Sequence, residues 1–432
     1  MSKTVVLALA ADGNIGDVVA RSKRTDSMRV VADNLEKISI AEIVVGIPTG
    51  RDAAALAALA QQADRALALY YGNRSAVIVA CDDHDDASTR HAFVRTRTRV
   101  PKVYVSTENG PCGKGNSLLA LLRQAVVFSA SAVMVVDAAV PGVSPQRIRN
   151  LGEPLFQDYH FVAPIYQRRK YEAPFTSNLA YPLTRALYGR RVRHPMPDEF
   201  GVSGDLARIF LESEFSNDAV PTLGVAIWMT TVAMHSKMAV IQSFVGSPGT
   251  HRLKGLPVDD ESVFKDVMAT MFQLMCRYQQ FWQRVKWSRP TAVFGTSGAD
   301  SEISGSLMVD TNLLWKKMTT GLHKHWDLCS RILYPDNVNE LEVLAGLPVD
   351  RLVLPSALWA RIVFDFAVEF KRQSTAQDEL LDAFLATYCA RILSFVLETQ
   401  EMNARAVEQY VEDQCLIFEK TKPYLLHRWF FQ

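Results

Sequence analysis

The stretch AVIVACDDHDDAST, residues 76–89, decides the fold, because five apolar residues and Cys81 are followed by a cluster of four acidic residues. A short, uninterrupted apolar run rich in β-branched residues is typical of a strand that is buried on both faces. Similar runs occur at residues 43–47, 102–105 and 132–136, and helical patterns separate them. Strands that alternate with helices predict an α/β fold with a mostly parallel sheet.

Polar or turn-forming residues follow these predicted strands at the points where they end. Pro48 ends the first strand, Asp82 and Asp83 begin the acidic turn after the second, and Asp137 follows residues 132–136. Gly113-Lys114-Gly115 opens the helix that precedes that last strand. Because ligands of open α/β sheets bind at the carboxyl ends of the strands, this pattern predicts a binding crevice there.

The second half of the chain has a different pattern. Beyond residue 260, apolar residues recur at helical spacing in five long stretches, which predicts a mostly α-helical body. These stretches are Glu261–Trp287, Thr311–Leu333, Ser356–Gln373, Asp378–Glu398 and Met402 to about Lys420. We therefore expect an N-terminal extension (1–40), an α/β domain (41–260) and a helical domain (261–432). In the extension, the pattern suggests a strand at Val5–Leu9 and a helix around Ser27–Ile38.

Composition excludes several classes of protein. The 432 residues carry 47 Lys and Arg against 46 Asp and Glu, a net charge of +1, which argues against a nucleic-acid partner. The six cysteines lie far apart with no CxxC pair, as expected of reduced thiols in a cytoplasmic protein. The sequence contains no uncharged apolar run of about 18 residues, so we expect no membrane span. The aromatic-rich helices after Phe264 suggest a homodimer formed through them.

Taken together, these clusters resemble the family-2-type GT-A glycosyltransferases. Residues 46–49 resemble the opening strand of that family, residues 82–89 resemble its acidic turn, usually written DDGSxDxT, and residues 113–115 occupy the place of its GKG element. Asp137 takes the place of the first Asp of its Asp-x-Asp motif. Later segments look like the subgroup related to mannosylglycerate synthase and glucosyl-3-phosphoglycerate synthase. These segments are residues 181–189, 200–206 and 224–230, and the chain onward to His251. The resemblance covers residues 41–260.

The resemblance implies transfer of a sugar from a nucleoside-diphosphate sugar to a small hydroxylated acceptor, glycerate-like in the subgroup, with retention of configuration. The residues implied to hold the nucleotide sugar are Pro48, Asp82, Asp83, Lys114 and Asp137. A divalent metal, Mg²⁺ or Mn²⁺, is implied at Asp137 and His251. These residue types suit a nucleotide sugar. Carboxylates accept hydrogen bonds from the base or the ribose, and a lysine at the start of a helix attracts a diphosphate.

Arg168 and Arg169 follow the predicted strand at residues 163–166 and are suited to an acidic acceptor. Each of these residues also has a simpler interpretation. Polar loop residues of these kinds are often simply exposed to solvent. This alternative applies to the acidic turn, Lys114, His251 and the run Arg168-Arg169-Lys170. Trp228 and Trp282 lie on apolar helical faces and are predicted to be core.

Three positions depart from the family pattern. Ala139 stands where the second metal carboxylate is usual, Ala226 replaces an acidic residue near the reacting sugar, and His84 replaces a glycine of the acidic turn. We therefore expect a metal that is weakly held and dependent on nucleotide. Asp198, Glu199, Asp205 and Asp218 are candidates for a substitute carboxylate, and we assign the catalytic role to Asp205 and Asp218.

Two other functions stay open on the sequence. Ala139 and Ala226 also fit a catalytically weak pseudo-glycosyltransferase that binds a nucleotide or a protein partner. A sugar-phosphate nucleotidyltransferase uses a related sheet, but it needs a glycine-rich basic loop after its first strand. Gly50-Arg51 is a poor substitute for such a loop.

Overall fold

The structure is a computed structural model that describes residues 28–33, 40–50, 52–82, 86–107, 114–140, 142–213, 224–247, 261–296 and 306–431. The chain divides into two compact units, each discontinuous in sequence. The first comprises Met1–Tyr166, Pro197–Arg252 and Ala292–Ser297, and the second comprises Gln167–Met196, Leu253–Thr291 and Gly298–Gln432. The segment Gln167–Met196 thus belongs to the unit that contains the C-terminal helices. The division into domains at residues 40 and 260 stays a prediction.

The first unit contains a nine-stranded sheet in the order β1-β4-β3-β2-β5-β7-β6-β8-β9. Its strands are β1 (Met28–Asp33), β2 (Ile43–Pro48), β3 (Ala76–Asp82), β4 (Lys102–Thr107), β5 (Ala132–Val135), β6 (Phe161–Tyr166), β7 (Phe200–Ser203), β8 (Val240–Gly246) and β9 (Ala292–Phe294). The pairs formed by β1 with β4 and by β7 with β5 and β6 are antiparallel, and the other pairs are parallel. The predicted mostly parallel sheet is confirmed.

The helices of the described residues follow in chain order. They are α1 (Ala53–Tyr70), α2 (Ala87–Arg95), α3 (Lys114–Val127), α4 (Pro145–Gly152), α5 (Tyr181–Tyr188), α6 (Gly204–Glu212), α7 (Val225–His235), α8 (Glu261–Arg277), α9 (Gln279–Trp282), α10 (Thr311–Ile332), α11 (Pro335–Ala345), α12 (Ser356–Arg372), α13 (Gln377–Thr399) and α14 (Ala404–Phe431). Short 3-10 turns occupy Glu153–Phe156 and Val349–Arg351, and a π-helix occupies Thr176–Ala180.

Local sequence explains where the helices of the first unit begin. Asp52 caps α1 by accepting a 2.9 Å hydrogen bond from the Ala55 amide, and Asp86 caps α2 through the Ser88 amide. Ser144 caps α4, which starts at Pro145, a favoured first helical residue. Helix α3 packs closely on β2, since a Cβ at Gly46 would lie 2.1 Å from a Leu121 methyl carbon. These contacts fix the helices that flank the carboxyl ends of the strands.

The predicted helical C-terminal region is also confirmed, although the predicted stretch Glu261–Trp287 is divided into α8 and α9. Helix α12 ends one residue before the predicted end, and α13 exceeds its predicted range by one residue at each end. Helix α14 continues past Lys420 and through Pro423 to Phe431. Helix α11 was not predicted. Trp228 in the first unit and Trp282 in the second are both buried, as expected of core residues.

The prediction of a helix around Ser27–Ile38 is wrong over Met28–Asp33, and the rest of that range lies outside the described residues. Met28–Asp33 forms β1, which pairs antiparallel with β4 from Met28 opposite Thr107 to Asp33 opposite Lys102. Pairing satisfies backbone groups along β4, and that gain outweighs the local helical pattern. The strand predicted at Val5–Leu9 lies outside the described residues.

Five of the six cysteines are described, and each has a free thiol; Cys112 lies outside the described residues. Within the described ranges, α13 is the one helix whose length and apolar composition would allow it to cross a membrane. Most of its apolar window is buried inside the protein, as in the core helix of a helical body. The homodimer and the cytoplasmic location remain predictions.

Candidate functional site

The order of the strands reverses between β2 and β5. From β2 the chain moves through β3 to β4 on one side, and β5 then pairs with β2 on the other side. In an α/β sheet the helix connections on either side of such a reversal leave a crevice outside the carboxyl ends of the strands. Pro48, the last residue of β2, and Asp137, two residues beyond β5, flank this point. The topology therefore places two of the predicted site residues at the expected crevice.

Asp137 is held in a tight turn after β5. Only 2% of the residue is exposed, its Oδ1 accepts a 2.8 Å hydrogen bond from the Ala139 amide, and its carbonyl accepts one of 3.0 Å from Val140. An aspartate that bonds the backbone two residues ahead stabilises a turn. The side chain therefore has a structural role at the end of β5, and the turn also fixes its position at the sheet edge.

Asp82 ends β3 and is built into the neighbouring turn. Its Oδ2 accepts a 2.5 Å hydrogen bond from the Tyr104 hydroxyl on β4 and a 2.9 Å bond from the Asp86 amide. Because Asp86 caps α2, Asp82 links the end of β3 to the start of that helix. The carboxylate is 4% exposed. Asp82 is thus a buried acceptor that ties the end of β3 to β4 and to the start of α2.

Strand β7 brings a further carboxylate to the same edge. It runs antiparallel to β5, with Phe200 opposite Val135 and Ser203 opposite Ala132. Residues that precede β7 therefore lie at the edge where residues that follow β5 lie. Glu199 immediately precedes Phe200 and is completely buried. It was one of four candidates for a substitute carboxylate, and the strand direction places it beside the β5 end.

Arg147, on the first turn of α4, holds Glu199. Its Nε donates a 2.8 Å hydrogen bond to Glu199 Oε2, and its Nη2 donates to the same oxygen. Its Nη1 donates a 2.8 Å bond to the Ser247 carbonyl just after β8, and the guanidinium lies 5.7 Å from the centre of the Tyr166 ring at the end of β6. Arg147 thus ties together the ends of β6, β7 and β8.

The Arg147–Glu199 pair is almost entirely removed from water, with side-chain exposures of 5% and 0%. Burial raises the pKa of Glu199 to about 7, the charge of Arg147 opposes that shift, and the charges of Asp198 and Asp137 add to it. The carboxylates of Asp137, Asp198 and Glu199 are therefore close enough to interact. Such groups are concentrated at functional sites more often than elsewhere.

The structure does not bring Asp205 to this edge. Asp205 lies in the first turn of α6, beyond Ser203, and Ser203 pairs with the first residue of β5 rather than its last. Its side chain is 71% exposed and forms an ion pair with Arg208, three residues ahead in the same helix. Antiparallel β7 separates Glu199 from Asp205 by the length of the strand, so these two acids belong to opposite edges of the sheet.

Other predicted site residues cannot be placed in this way. Asp83, Asp218 and His251 lie outside the described residues, as does the side chain of Lys114, whose backbone begins α3. Among the described residues, no three His, Cys, Asp or Glu side chains are grouped in a way that could hold a metal ion.

Arg168 and Arg169 belong to the second unit. Arg169 is exposed, and its amide donates a 2.7 Å hydrogen bond to Glu172. Burial lowers the pKa of His194 well below its ordinary value, and the charges of Arg168 and Arg193 lower it further. Against the effect of burial, the charges of Arg193 and Arg168 also lower the pKa of Glu408, which forms an ion pair with Arg193.

Sequence reasoning missed Arg147 altogether. The signal available was the Ser144-Pro145 start of a helix directly after the Asp137 turn, which places the first turn of α4 at the carboxyl edge. An arginine in that turn faces the site edge rather than the far side of the sheet. Pairing it with Glu199, 52 residues later, requires the direction of β7, which a four-residue strand does not reveal.

No protein-family model matches the chain, and no curated protein matches it. The chain is similar to solved structures of glucosyl-3-phosphoglycerate synthase from Mycobacterium tuberculosis. A complex with Mg²⁺ and uridine-diphosphate is 21% identical over 54% of this chain and 79% of that chain, with a TM-score of 0.43. A complex with Mn²⁺, uridine-diphosphate-glucose and phosphoglyceric acid is 20% identical over the same shares, with a TM-score of 0.44.

Proposed function

We propose that the chain is a GT-A glycosyltransferase that transfers a sugar from a nucleoside-diphosphate sugar to a small, glycerate-like acceptor with retention of configuration. The observation that supports this most is the placement of Pro48 and Asp137 at the reversal of strand order. This is where an α/β sheet binds a nucleotide. The motifs that resemble the glycosyltransferases fall on the ends of the same strands.

In this proposal, the nucleotide half of the donor binds across the ends of β2, β3 and β5. Asp137 accepts hydrogen bonds from ribose hydroxyl groups, and Asp82 holds the end of β3 to the start of α2. Helix α3 starts on the carboxyl side of the sheet, because it connects β4 to the parallel strand β5. The amides of its first turn and the charge of Lys114 attract the diphosphate.

A divalent metal fits the residues present only in a limited way. Asp137 offers a carboxylate, but Ala139 offers none, and Glu199 is already paired with Arg147. Mg²⁺ binds proteins through as few as one or two carboxylates when substrate phosphates complete its shell. We therefore propose that Asp137 and His251 hold a metal that binds together with the nucleotide. Such an ion would offset the charge of the diphosphate.

The acceptor is proposed to carry an acidic group. Arg168 and Arg169 follow the end of β6 by two and three residues in the chain, and the charge of Arg168 acts on His194 together with that of Arg193. Guanidinium groups bind carboxylates and phosphates through paired hydrogen bonds. Asp205 is not carried forward as the catalytic acid, since it lies at the opposite edge from Asp137; the role of Asp218 stays a proposal.

A second candidate function is a catalytically weak relative that binds nucleotides without transferring sugar. The observation that favours it is the environment of Ala226, which is buried in α7 and presents a methyl group where the resembling family has an acid. A methyl group neither orients an acceptor nor stabilises positive charge at the sugar.

One experiment separates the two candidates. Thermal shift with UDP, GDP and ADP and their hexose derivatives identifies the nucleotide, and hydrolysis and transfer to glycerate and 3-phosphoglycerate are then measured with each nucleotide that binds. Binding with transfer supports the glycosyltransferase, and binding without either reaction supports the second candidate. If no nucleotide stabilises the protein, both are wrong.

A further inference from the structure

Glu199 is a buried acid with one oxygen in use and one oxygen available. Oε2 receives both hydrogen bonds from Arg147, whereas Oε1 has no hydrogen-bond partner among the described residues. A buried carboxylate oxygen without a partner costs free energy, so most are paired or serve a ligand. The residue is 0% exposed, which excludes ordinary solvation as the explanation for the remaining oxygen.

Its place in the sheet puts Glu199 at the same edge as Asp137, which we propose to bind the ribose. Glu199 precedes β7 directly and Asp137 follows β5, and those two strands are paired with Phe200 opposite Val135. The strand pairing thus brings the start of β7 and the end of β5 to the same edge of the sheet. A ligand whose ribose contacts Asp137 would therefore extend its other groups close to Glu199.

Arg147 determines what kind of group Glu199 can receive. The guanidinium cancels most of the negative charge of Glu199, so the pair has little attraction for a metal cation or for another charged partner. A carboxylate in a neutral pair still accepts hydrogen bonds strongly. The expected ligand group is therefore a neutral donor such as a hydroxyl group. The donor sugar is the hydroxyl-rich part of a nucleoside-diphosphate sugar.

We infer that Glu199, positioned by Arg147, binds the transferred sugar by accepting a hydrogen bond from one of its hydroxyl groups at Oε1. This inference rests on the proposed function, and it assigns a sugar-binding role to a residue at the start of β7. Where the resembling family has an acid at the position of Ala226, this chain would use a carboxylate at the start of β7. A site built to hydrogen-bond a hydroxyl group discriminates strongly against analogues without it.

The test compares each nucleoside diphosphate with its own sugar derivatives. Calorimetry gives the affinities of UDP, GDP and ADP, and of their glucose, galactose and mannose derivatives, for the wild type and for Glu199→Gln. We expect the substitution to weaken binding of the cognate sugar nucleotide about tenfold or more, the range for hydrogen bonds to charged groups. The affinity for the parent nucleoside diphosphate should stay within about twofold of the wild type.

Glu419→Gln is the matched control. Glu419 is also buried and receives a hydrogen bond from an arginine, Arg185, but it lies in the second unit. Its substitution removes a similar buried pair and should leave the ratio of the two affinities unchanged. If Glu199→Gln weakens the nucleoside diphosphate and the sugar nucleotide equally, or neither, the inference is overturned while the proposed function stands.

A measurement on the wild type alone covers the case in which Glu199→Gln does not fold. Sugar nucleotides that lack one hydroxyl group at a time are titrated into the unmodified protein. We expect removal of one particular hydroxyl group to weaken binding about tenfold or more, and removal of the others to do less. Equal tolerance of every deoxy analogue overturns the inference. Absence of any nucleotide binding overturns the proposed function and this inference with it.

Discussion

Replacement of Glu199 by glutamine should change how the stability of the first unit depends on pH. The native pKa of Glu199 is about 7, against an ordinary value of 4.5, because burial penalises the charged form and the charge of Arg147 offsets only part of that penalty. Between these two values the native state keeps a proton that the unfolded chain has released. The free energy of unfolding contributed by Glu199 therefore rises as the pH falls from 8 towards 4.5, and it is lost as the pH rises through about 7.

The magnitude follows from the shift. At pH 8 the carboxyl group is ionised in both the native and the unfolded state, so proton binding adds almost nothing to the free energy of unfolding. At pH 5.5 the native group is protonated and lies about 1.5 pH units below its pKa, and each unit corresponds to about 1.4 kcal/mol. The wild type should therefore gain about 2 kcal/mol relative to Glu199→Gln between pH 8 and pH 5.5, because the amide does not titrate.

The assay must report on the first unit. Only one of the seven tryptophans, Trp228, lies in the first unit. Total tryptophan fluorescence would therefore report mainly on the second unit. Hydrogen exchange of the buried β5 amides, measured by mass spectrometry and corrected for the intrinsic rate at each pH, gives the opening free energy directly. A difference between the two proteins that stays constant from pH 8 to pH 5.5 would refute the reasoning.

Three further predictions concern binding and assembly. Asp137→Ala and Lys114→Ala should each weaken nucleoside diphosphate binding by about 1.5–3 kcal/mol in calorimetry; unchanged affinity in both folded variants would contradict the site assignment. Mn²⁺ should bind appreciably only when nucleoside diphosphate is present, and Ala139→Asp should tighten it; tight binding to the free wild-type protein would show the opposite. Light scattering at tens of micromolar should give the mass of a dimer, and a monomer mass would count against association through the helices after Phe264.

The elements that the sequence predicts well are those whose burial leaves a continuous pattern. The run at residues 76–80 has no polar residue, because a central parallel strand is covered on both faces, and it becomes β3. Ser356–Gln373 shows an apolar stripe at helical spacing and becomes α12. For the same reason the strand-end positions of Pro48, Asp82 and Asp137 are readable, since each directly follows or closes such a run.

The remainder depends on contacts that have no local pattern. The stretch around Ser27–Ile38 has a helical pattern, yet Met28–Asp33 within it becomes a strand because β4 offers it backbone partners. The four residues of β7 are too few to reveal its direction, and that direction alone decides that Glu199 rather than Asp205 joins Asp137. Arg147 and Glu199 are 52 residues apart, so their pairing is a product of the assembled sheet.

The position of β1 has a practical consequence for producing the protein. A truncation that begins at residue 41, the start of the resemblance, would remove the strand that covers β4 and leave the backbone amides and carbonyls of β4 exposed. Bare strand edges recruit the edges of other molecules, and proteins commonly protect them for that reason. Shortened versions that omit Met28–Asp33 would therefore be prone to aggregate, so expression for crystallisation or enzymology should retain this segment.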